Sequence, residues 1–400
     1  MSLASLKNKL AVKRKRVDIR YRFYEMKNYT VDLNISTPPN LRWLNSALGW
    51  NAKAVDALGD RLSFAGFRDD YFNIWQIFQL NNADVLFDSA INSALIASCA
   101  FIYISNVDNY PRLQVIDGSH ATGVIDPTTG MLKEGYAVLE WDEHNRVLAE
   151  AYFTPESTVY YRNGQPVSEE PNPARYPLLV PVIFRPDAKR PFGHSRISRA
   201  CMDYTTAAIR TIKRSEVSAE FFSFPQRYVT GLDQDHQELD KWKATMSSLL
   251  SFELSEDGTD HVRLGQFAQQ SMTPHIDQLK MFAALFAGET GLTLDDVGFV
   301  QANPSSAEAI KAAHENLRLT ARKAQKNFNV GFLNAGLVAA SVRDNQPYQR
   351  YQIYDTVPVW RPLFEPDASM LGAIGDGLSK LQMAFPDLIT REDITEMTGL

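Results

Sequence analysis

The sequence contains few residues that could support catalysis or covalent cross-linking. Its 400 residues include only two cysteines, Cys99 and Cys201, and seven scattered histidines. Two cysteines exclude both a disulfide framework and a cysteine-based zinc site, and their apolar or helical contexts predict small buried side chains. No G-x-x-x-x-G-K-[ST], G-x-G-x-x-G or H-E-x-x-H motif occurs, so the sequence predicts no nucleotide site and no cofactor.

Long hydrophobic runs and an excess of positive charge are also missing. The longest apolar stretch, residues 90–104, is interrupted by Asn92, Ser93 and Ser98, which makes it too short and too polar for a membrane span. No apolar region of the signal-peptide type follows the basic N-terminal segment. A net charge of −6 argues against a module that binds DNA through a generally basic surface. It does not argue against a wall past which DNA slides, because strong phosphate contacts on such a wall would slow the DNA.

A basic run stands near the start of the chain, from Lys13 to Arg16. It lies in residues 1–30, which are charged and predicted to be helical. Two interpretations remain open for it: a solvated helix face, or a contact with nucleic acid.

Hydrophobic periodicity divides the first half of the chain into helical and β regions. Residues 31–60 are predicted to be loop-rich, and residues 70–98 to be helical with a break at Asn81-Asn82. From residue 100 the period changes to that of strands, and Asn163-Gly164 is a strong hairpin signal. Residues 100–185 therefore predict an antiparallel β region. Its strands are expected at 101–104, 113–116, 136–141, 147–153, 158–161 and 178–184, the last at a sheet edge because of Pro181.

Two long helices dominate the second half. The first is predicted from Ser195, as N-cap, to Phe222, about 40 Å at 1.5 Å per residue. The second is predicted from Ser305, which forms a capping box with Glu308, to Val342. Between them lie a β-α-β insert at 223–272, a helix at 274–288 and a loop at 289–298. Strands at 351–355 and 357–360 and short helices at 367–400 are expected to follow.

The insert at 223–272 is too small for a core of ordinary stability. We therefore expect it to be stabilised by packing against another surface, most simply against other copies of itself.

Candidate chemistry is sparse, and each candidate has a simpler structural explanation. The group Asp233, Asp235, His236 and Asp240 either binds a cation or begins a helix. The acidic group at 253–261 is either a solvated turn or an acid–base pair. His194 and Ser195 lack the G-x-S-x-G elbow of a nucleophile. Arg196 and Arg199 could contact phosphate or pair between subunits, and the acidic composition favours pairing.

Several segments, in order and spacing, resemble the portal proteins of tailed bacteriophages, the head-to-tail connectors. The match is most specific across residues 190–345, and residues 1–190 agree in type through weaker motifs. The segments are 192–199 (FGHSRISR), 216–222 (EVSAEFF), 225–229 (PQRYV), 285–292 (LFAGETGL) and 303–310 (NPSSAEAI).

The resemblance implies an α+β portal-type fold with a mixed α/β wing, a two-helix stem, a small β-α-β clip, a long spine helix and a helical crown. By analogy the segments would be the wing at 1–190, stem helix 1 at 191–222, the clip at 223–272, stem helix 2 at 273–291, the tunnel loop at 292–304, the spine helix at 305–345, wing strands at 346–365 and the crown at 366–400.

The resemblance also implies a role and partners. Portal proteins form a ring, usually of twelve subunits, at one capsid vertex, and the ring is the channel for genome packaging and ejection. Expected partners are other copies of the chain, double-stranded DNA passing without sequence specificity, the terminase large subunit, a head-completion or adaptor protein, and the major capsid and scaffolding proteins. The expected location is the virion, after assembly in the host cytoplasm.

Three groups of residues follow from the resemblance as hypotheses. The channel or tunnel-loop group is Lys280, Asp295, Asp296, Gln301 and Asn303. The stem or subunit-contact group is Arg196, Arg199, Arg210, Arg214, Glu216 and Glu220. The clip docking group is Arg227, Trp242, Glu256 and Asp257.

No catalysis and no metal site are expected, because ATP hydrolysis would belong to the terminase. Two alternatives remain: another phage structural protein, such as a capsid or minor head protein, and an enzyme of unrecognised fold that uses Asp or Glu.

Overall fold

A computed structural model describes residues 2–27, 43, 45–107, 110–144, 146–223, 227–230, 263–266, 271–300, 312–363, 368–385, 390 and 394. The chain divides into two compact units. The first comprises residues 1–28, 49–202 and 287–400, and the second comprises residues 29–48 and 203–286. The predicted mixture of helices and antiparallel strands is confirmed.

The first unit begins with two helices, α1 (Leu3–Tyr24) and α2 (Trp50–Gly59). The first confirms the predicted N-terminal helix. Its residues Leu6 and Leu10 are buried against Tyr136 and Val138 of the β region. The second was not predicted, because residues 31–60 were expected to be loop-rich. It forms because apolar residues at helical spacing bury one face, and these are Trp50, Ala54, Val55 and Leu58.

Helices α3 (Ile74–Leu80) and α4 (Ala83–Ala97) confirm the predicted helical segment and its break. Asn81 ends α3, and Asn82 adopts a left-handed backbone at φ 55° before α4. Asparagine tolerates this conformation better than most residues. The strand β1 (Phe64–Arg68), which was not predicted, precedes them.

The β region forms two antiparallel sheets. Strands β2 (Cys99–Val107), β3 (Tyr110–Asp117) and β9 (Leu179–Ile183) form a sheet of order β3-β2-β9. The other sheet has the order β4-β5-β6-β7-β8. Its strands are β4 (Ala121–Ile125), β5 (Leu132–Trp141), β6 (Val147–Phe153), β7 (Ser157–Arg162) and β8 (Gln165–Pro171).

Turn chemistry and proline placement in these sheets agree with the sequence. Asn163 and Gly164 have φ angles of 50° and 77°, as expected for the tight hairpin between β7 and β8. Pro181 lies on β9, which pairs with β2 at the edge of its sheet. The edge position predicted for Pro181 is therefore confirmed.

A long helix, α7 (Glu315–Arg343), packs against β9 at the centre of the first unit. A Cβ at Gly331 would lie 3.1 Å from the carbonyl oxygen of Pro181, so this glycine permits the close approach. Phe332 contacts Phe87 at 4.6 Å between ring centroids. The C-terminal third of the helix carries apolar residues, which predicts burial, and Phe328, Phe332 and Leu337 are buried, whereas Val330 is 39% exposed because it lies on the outer face.

The segment after α7 contains a 3-10 helix and a strand that pairs with β1. The predicted strand at 351–355 is wrong: Arg350–Ile353 forms a 3-10 helix, whose capping box joins Gln349 and Gln352. Strand β12 (Val357–Trp360) is confirmed and pairs antiparallel with β1. Helix α8 (Ala368–Ala384) agrees with the helical C-terminal prediction.

Helix α5 (Arg199–Ser223) begins in the first unit and continues into the second. The second unit also contains β10 (Arg227–Thr230), paired antiparallel with β11 (Arg263–Gln266). Helix α6 (Thr273–Thr290) begins in the second unit and ends in the first. The predicted helix at 237–250, the strand at 251–254 and the capping box at Ser305 lie outside the described residues.

No helix in the described ranges is both long enough and apolar enough to cross a membrane.

Candidate functional site

The start of α5 and the end of α6 meet at one buried arginine, Arg196. Its Nε donates a hydrogen bond to the carbonyl oxygen of Ala54 at 3.1 Å, and its Nη2 donates to the carbonyl oxygen of Thr290. Its own main-chain N–H donates to Leu95 at 2.7 Å. Burial lowers the pKa of the Arg196 guanidinium to about 10. Three separate segments, in α2, α4 and α6, are thus held by one residue.

Ser195 was predicted to be the N-cap of the first long helix, but the structure gives that position to Ser198. The Ser195 hydroxyl is buried, donates to the carbonyl oxygen of Ile96 at 2.6 Å and accepts the Ile197 N–H at 2.9 Å. Ser195 is therefore not the N-cap. Ser198 occupies that position, because its Oγ accepts the N–H of Cys201 at 3.2 Å.

Ser198 also bonds to α6. Its hydroxyl donates to the carboxylate of Glu289 at 2.8 Å. The first turn of α5 and the last turn of α6 are therefore joined by a side-chain hydrogen bond as well as by Arg196.

The turn before this cluster depends on a glycine and a histidine. Gly193 has φ +74°, and a Cβ there would lie 2.0 Å from the carbonyl oxygen of Phe184. His194 Nε2 lies 2.5 Å from a carboxylate oxygen of Asp187. His194 is paired with Asp187 while Ser195 is bonded to main-chain carbonyls, so the two do not form a nucleophile–base pair.

The loop after α6 is anchored to the same region. Trp50 donates from its indole N–H to the carbonyl oxygen of Val297 at 3.2 Å. Asp296 accepts two hydrogen bonds from Thr293, from the N–H and from the hydroxyl, each at 2.9 Å. Asp295 is exposed at the start of the 3-10 turn Asp295–Val297. The adjacent aspartates therefore differ: Asp296 is half-buried and bonds within the loop, whereas Asp295 is exposed.

The residues predicted for subunit contact differ in burial and in hydrogen bonding. Arg196 is buried and bonded within the chain, and the subunit contact predicted for it stays a prediction. Glu216 is half-buried and accepts a hydrogen bond from Ser46 at 3.0 Å. The others lie on α5, where Arg210 is half-buried and three are exposed: Arg199, Arg214 and Glu220.

The remaining predicted residues are only partly described. Lys280 is exposed on α6. Arg227 lies at the start of β10. The other predicted tunnel-loop and clip residues lie outside the described residues, and these are Gln301, Asn303, Trp242, Glu256 and Asp257.

The described ranges contain no group of three or more His, Cys, Asp or Glu residues that could hold a metal ion. Cys99 and Cys201 are both buried thiols, and burial raises the pKa of the Cys201 thiol. The prediction of two small buried side chains is confirmed.

Sequence reasoning missed the partners that form the cluster. Trp50, Glu289 and Thr290 bond to residues between 91 and 247 positions away. The one signal in the sequence was the polar segment from His194 to Arg199, which places two serines and two arginines next to each other just before a helix.

Comparison with known proteins gives a match over nearly the whole chain. Residues 3–364 match the family model described as "Phage portal protein, SPP1 Gp6-like". The portal protein of Mycobacterium phage L5 is 25% identical, over 77% of this chain and 67% of that protein. The portal protein of Mycobacterium phage D29 is 25% identical, over 74% of this chain and 65% of that protein. The chain thus spans about two thirds of the length of these relatives.

Two solved particles contain chains of similar structure. One is described as the virion of a native gene transfer agent particle, with a TM-score of 0.49 and 11% identity, over 88% of this chain and 89% of that chain. The other is described as the neck of a native particle of that kind computed with C12 symmetry, with a TM-score of 0.48 and 11% identity, over 88% and 89%.

Proposed function

This chain belongs to the phage portal protein family, SPP1 Gp6-like, and from that membership we propose that its copies assemble into a closed ring of twelve subunits at one capsid vertex. The ring is the channel through which DNA enters during packaging and leaves during ejection. The observation that carries the proposal is the family match across residues 3–364. A closed ring needs a heterologous interface, in which two different faces of each subunit meet.

The segments take portal roles in this proposal. Residues 1–190 and 346–365 are the wing, residues 191–222 and 273–291 are the paired stem helices, and residues 305–345 are the spine. The clip at 223–272 docks the terminase large subunit and later a head-completion protein. The tunnel loop is 292–304 and the crown is 366–400.

The Arg196 cluster supports the division into wing and stem. It fixes the first turn of α5 and the last turn of α6 to α2 and α4 by hydrogen bonds to buried carbonyl oxygens. Such a junction can transmit force between segments, because buried hydrogen-bonded groups resist displacement. The chain itself performs no catalysis in this proposal, and ATP hydrolysis belongs to the terminase.

The tunnel loop is the proposed channel contact. Exposed Asp295 would present negative charge to passing DNA, with Lys280, Gln301 and Asn303 as further proposed contacts. An acidic lining repels phosphate, so the DNA meets little electrostatic retention as it passes. Arg199, Arg214 and Glu220 remain proposed subunit contacts because their side chains are exposed on α5.

Native mass spectrometry with negative-stain imaging tests the proposal. A ring of twelve chains of 45.1 kDa with a central hole is the expected result. If the purified chain stays a compact monomer, the measurement is repeated with scaffolding protein added. A monomer under both conditions contradicts the ring.

A further inference from the structure

A row of cations follows one face of α1. Lys9, Lys13, Arg16 and Arg20 are spaced by four, three and four residues, which places them on one side of the helix. The row is about 16 Å long at 1.5 Å per residue. Together with Arg190, these residues line one cavity of 540 Å³, here named the α1 cavity. Its described lining contains no Asp or Glu.

The cations of the α1 cavity lack ion-pair partners within the chain. In the described ranges, none of the five side chains has a carboxylate oxygen within 4.0 Å of its charged nitrogen atoms, although the main-chain N–H of Arg190 donates to Asp187 at 2.6 Å. Two cations of the same helix outside the cavity are paired, since Lys7 bonds to Glu150 and Arg14 lies 3.9 Å from Asp18. The cavity thus brings together five cations without ion pairs in a chain whose net charge is −6.

Main-chain oxygens hold part of the row in place and leave other donors available. Lys9 and Lys13 donate to carbonyl oxygens of β4 at 2.7 and 3.2 Å, and Arg20 donates to the carbonyl oxygen of Ala97 at 3.2 Å. A lysine has three N–H donors and an arginine has five. Each cation therefore keeps N–H groups that can bind an anion in the cavity.

Crowding of the cations has an electrostatic cost. Burial, and then the charge of Lys13, lowers the pKa of Lys9. Burial also lowers the pKa of Arg20, with Arg190 and Arg16 as smaller contributors. A bound anion would reduce this cost, because an opposite charge at short distance stabilises the protonated forms.

We propose that the α1 cavity binds the phosphodiester backbone of a nucleic acid. Its cations are arranged in a line, and phosphates follow one another along a DNA strand at about 3.4 Å of helix axis. A row of about 16 Å therefore spans several consecutive phosphates. An acidic protein segment fits less well, because protein interfaces rely on buried apolar anchors and Val12 is the one exposed large apolar residue of the lining.

This site differs from the channel of the proposed function. A channel wall should bind phosphate weakly, whereas the α1 cavity collects positive charge. The α1 cavity is thus a second contact with nucleic acid, one that retains it, and it depends on the geometry of α1 rather than on the ring.

The test uses the full chain and the variants Arg16→Gln and Arg190→Gln. Neither side chain anchors α1 to a carbonyl oxygen in the described structure. Lys15→Gln is the matched control, since it removes one charge from the same helix at an exposed position outside the cavity. Binding of a labelled DNA duplex of about 20 base pairs is followed by fluorescence anisotropy over a range of salt concentrations.

We expect Arg16→Gln and Arg190→Gln each to weaken binding about threefold to tenfold at low salt. Each should also reduce the slope of log K against log salt by about one, because one phosphate contact is lost. Lys15→Gln should leave both quantities close to wild type. Equal losses in all three variants would mean diffuse attraction and overturn the site.

A second competitor separates nucleic acid from an acidic protein partner. If a poly-glutamate peptide binds the wild type and loses affinity in Arg16→Gln while the duplex does not, the phosphate assignment is wrong. Absence of duplex binding by the wild type at low salt also overturns it. Native mass spectrometry of each variant reports assembly separately, so failure of the ring and failure of this site give different results.

Discussion

The guanidinium of Arg196 donates a hydrogen bond to the main-chain carbonyl oxygen of Thr290, although the two residues are 94 positions apart. Thr290 is the last residue of α6, and Arg196 precedes α5 by three residues. The same guanidinium bonds to Ala54 in α2. One side chain thus sets the distance between the beginning of one long helix and the end of another.

Removing this side chain should destabilise the first unit. Arg196→Met leaves the buried carbonyl oxygens of Ala54 and Thr290 without this donor, and we expect a loss of about 2–4 kcal/mol in the free energy of unfolding. Arg199→Met, on the exposed next turn, should change it by less than about 0.5 kcal/mol. Denaturant unfolding at matched protein concentration measures both. Equal stability of the two variants would contradict the structural role of Arg196.

A pair of glycines separates backbone strain from steric clash. Gly193 and Gly164 have similar φ angles, +74° and +77°, but only Gly193 has atoms in the way of a Cβ. Gly164→Ala should cost about 1–2 kcal/mol through left-handed backbone strain alone. Gly193→Ala should cost a further 1–3 kcal/mol, roughly, because the methyl group meets the Phe184 carbonyl. Unfolding free energies from denaturant titration test the difference, and similar values for the two variants would count against the clash.

The elements that the sequence predicted well are those whose pattern is local. Strand β6 was expected at 147–153 and is observed at Val147–Phe153, between the turn signal at 142–145 and the next strand. The break at Asn81-Asn82 and the hairpin at Asn163-Gly164 are equally local, since both depend on residues that tolerate positive φ.

Strand β8 escaped prediction because its composition is poor for a strand. It contains two prolines and two glutamates and is exposed along its whole length, so its pairing with β7 across the Asn163-Gly164 hairpin overrides a poor strand propensity. The roles of the site residues escaped prediction because their partners are distant in sequence. At the candidate site, Ser195 and Ser198 both suit an N-cap by local pattern. Only the position of Ile96, 99 residues earlier, shows that Ser195 is bonded elsewhere.

Alkaline pH should destabilise the chain partly through Tyr24. Its hydroxyl donates to Asp56 at 2.9 Å, and burial, with the neighbouring carboxylate, raises the pKa of Tyr24 to about 12. Because the pKa is about 10 in the unfolded chain, this contribution is complete below pH 10 and is lost as the pH rises from 10 to 12. Tyr24→Phe should therefore lose less stability than the wild type over that interval.

The control for Tyr24 is the exposed Tyr71. Thermal unfolding of the wild type, Tyr24→Phe and Tyr71→Phe at pH 9 and at pH 11 gives the comparison. A Tyr24→Phe variant whose Tm falls as far as that of the wild type would show that the hydroxyl does not contribute in this way.

The proposed channel role gives a prediction that depends on the difference between the two adjacent aspartates. Asp295→Lys places a cation where DNA would pass, and we expect slower packaging in a defined packaging assay because the added charge holds phosphate. The effect should be larger at low salt than at high salt. Thermal unfolding of Asp295→Lys separates this effect from a loss of stability, because Asp295 is exposed and a slower rate at unchanged Tm isolates the added charge.

Two further variants make the assay specific to the tunnel loop. Glu143→Lys adds the same charge at an exposed turn between β5 and β6 and should leave the packaging rate unchanged. Asp296→Asn weakens the two hydrogen bonds from Thr293, so it should lower Tm and disturb the loop without adding positive charge. If Asp295→Lys packages DNA at the wild-type rate at low salt, Asp295 does not face the DNA. If Glu143→Lys slows packaging by the same amount, the effect comes from the net charge of the chain rather than from the tunnel loop. Assembly of the variants without DNA should then show the same dependence on salt.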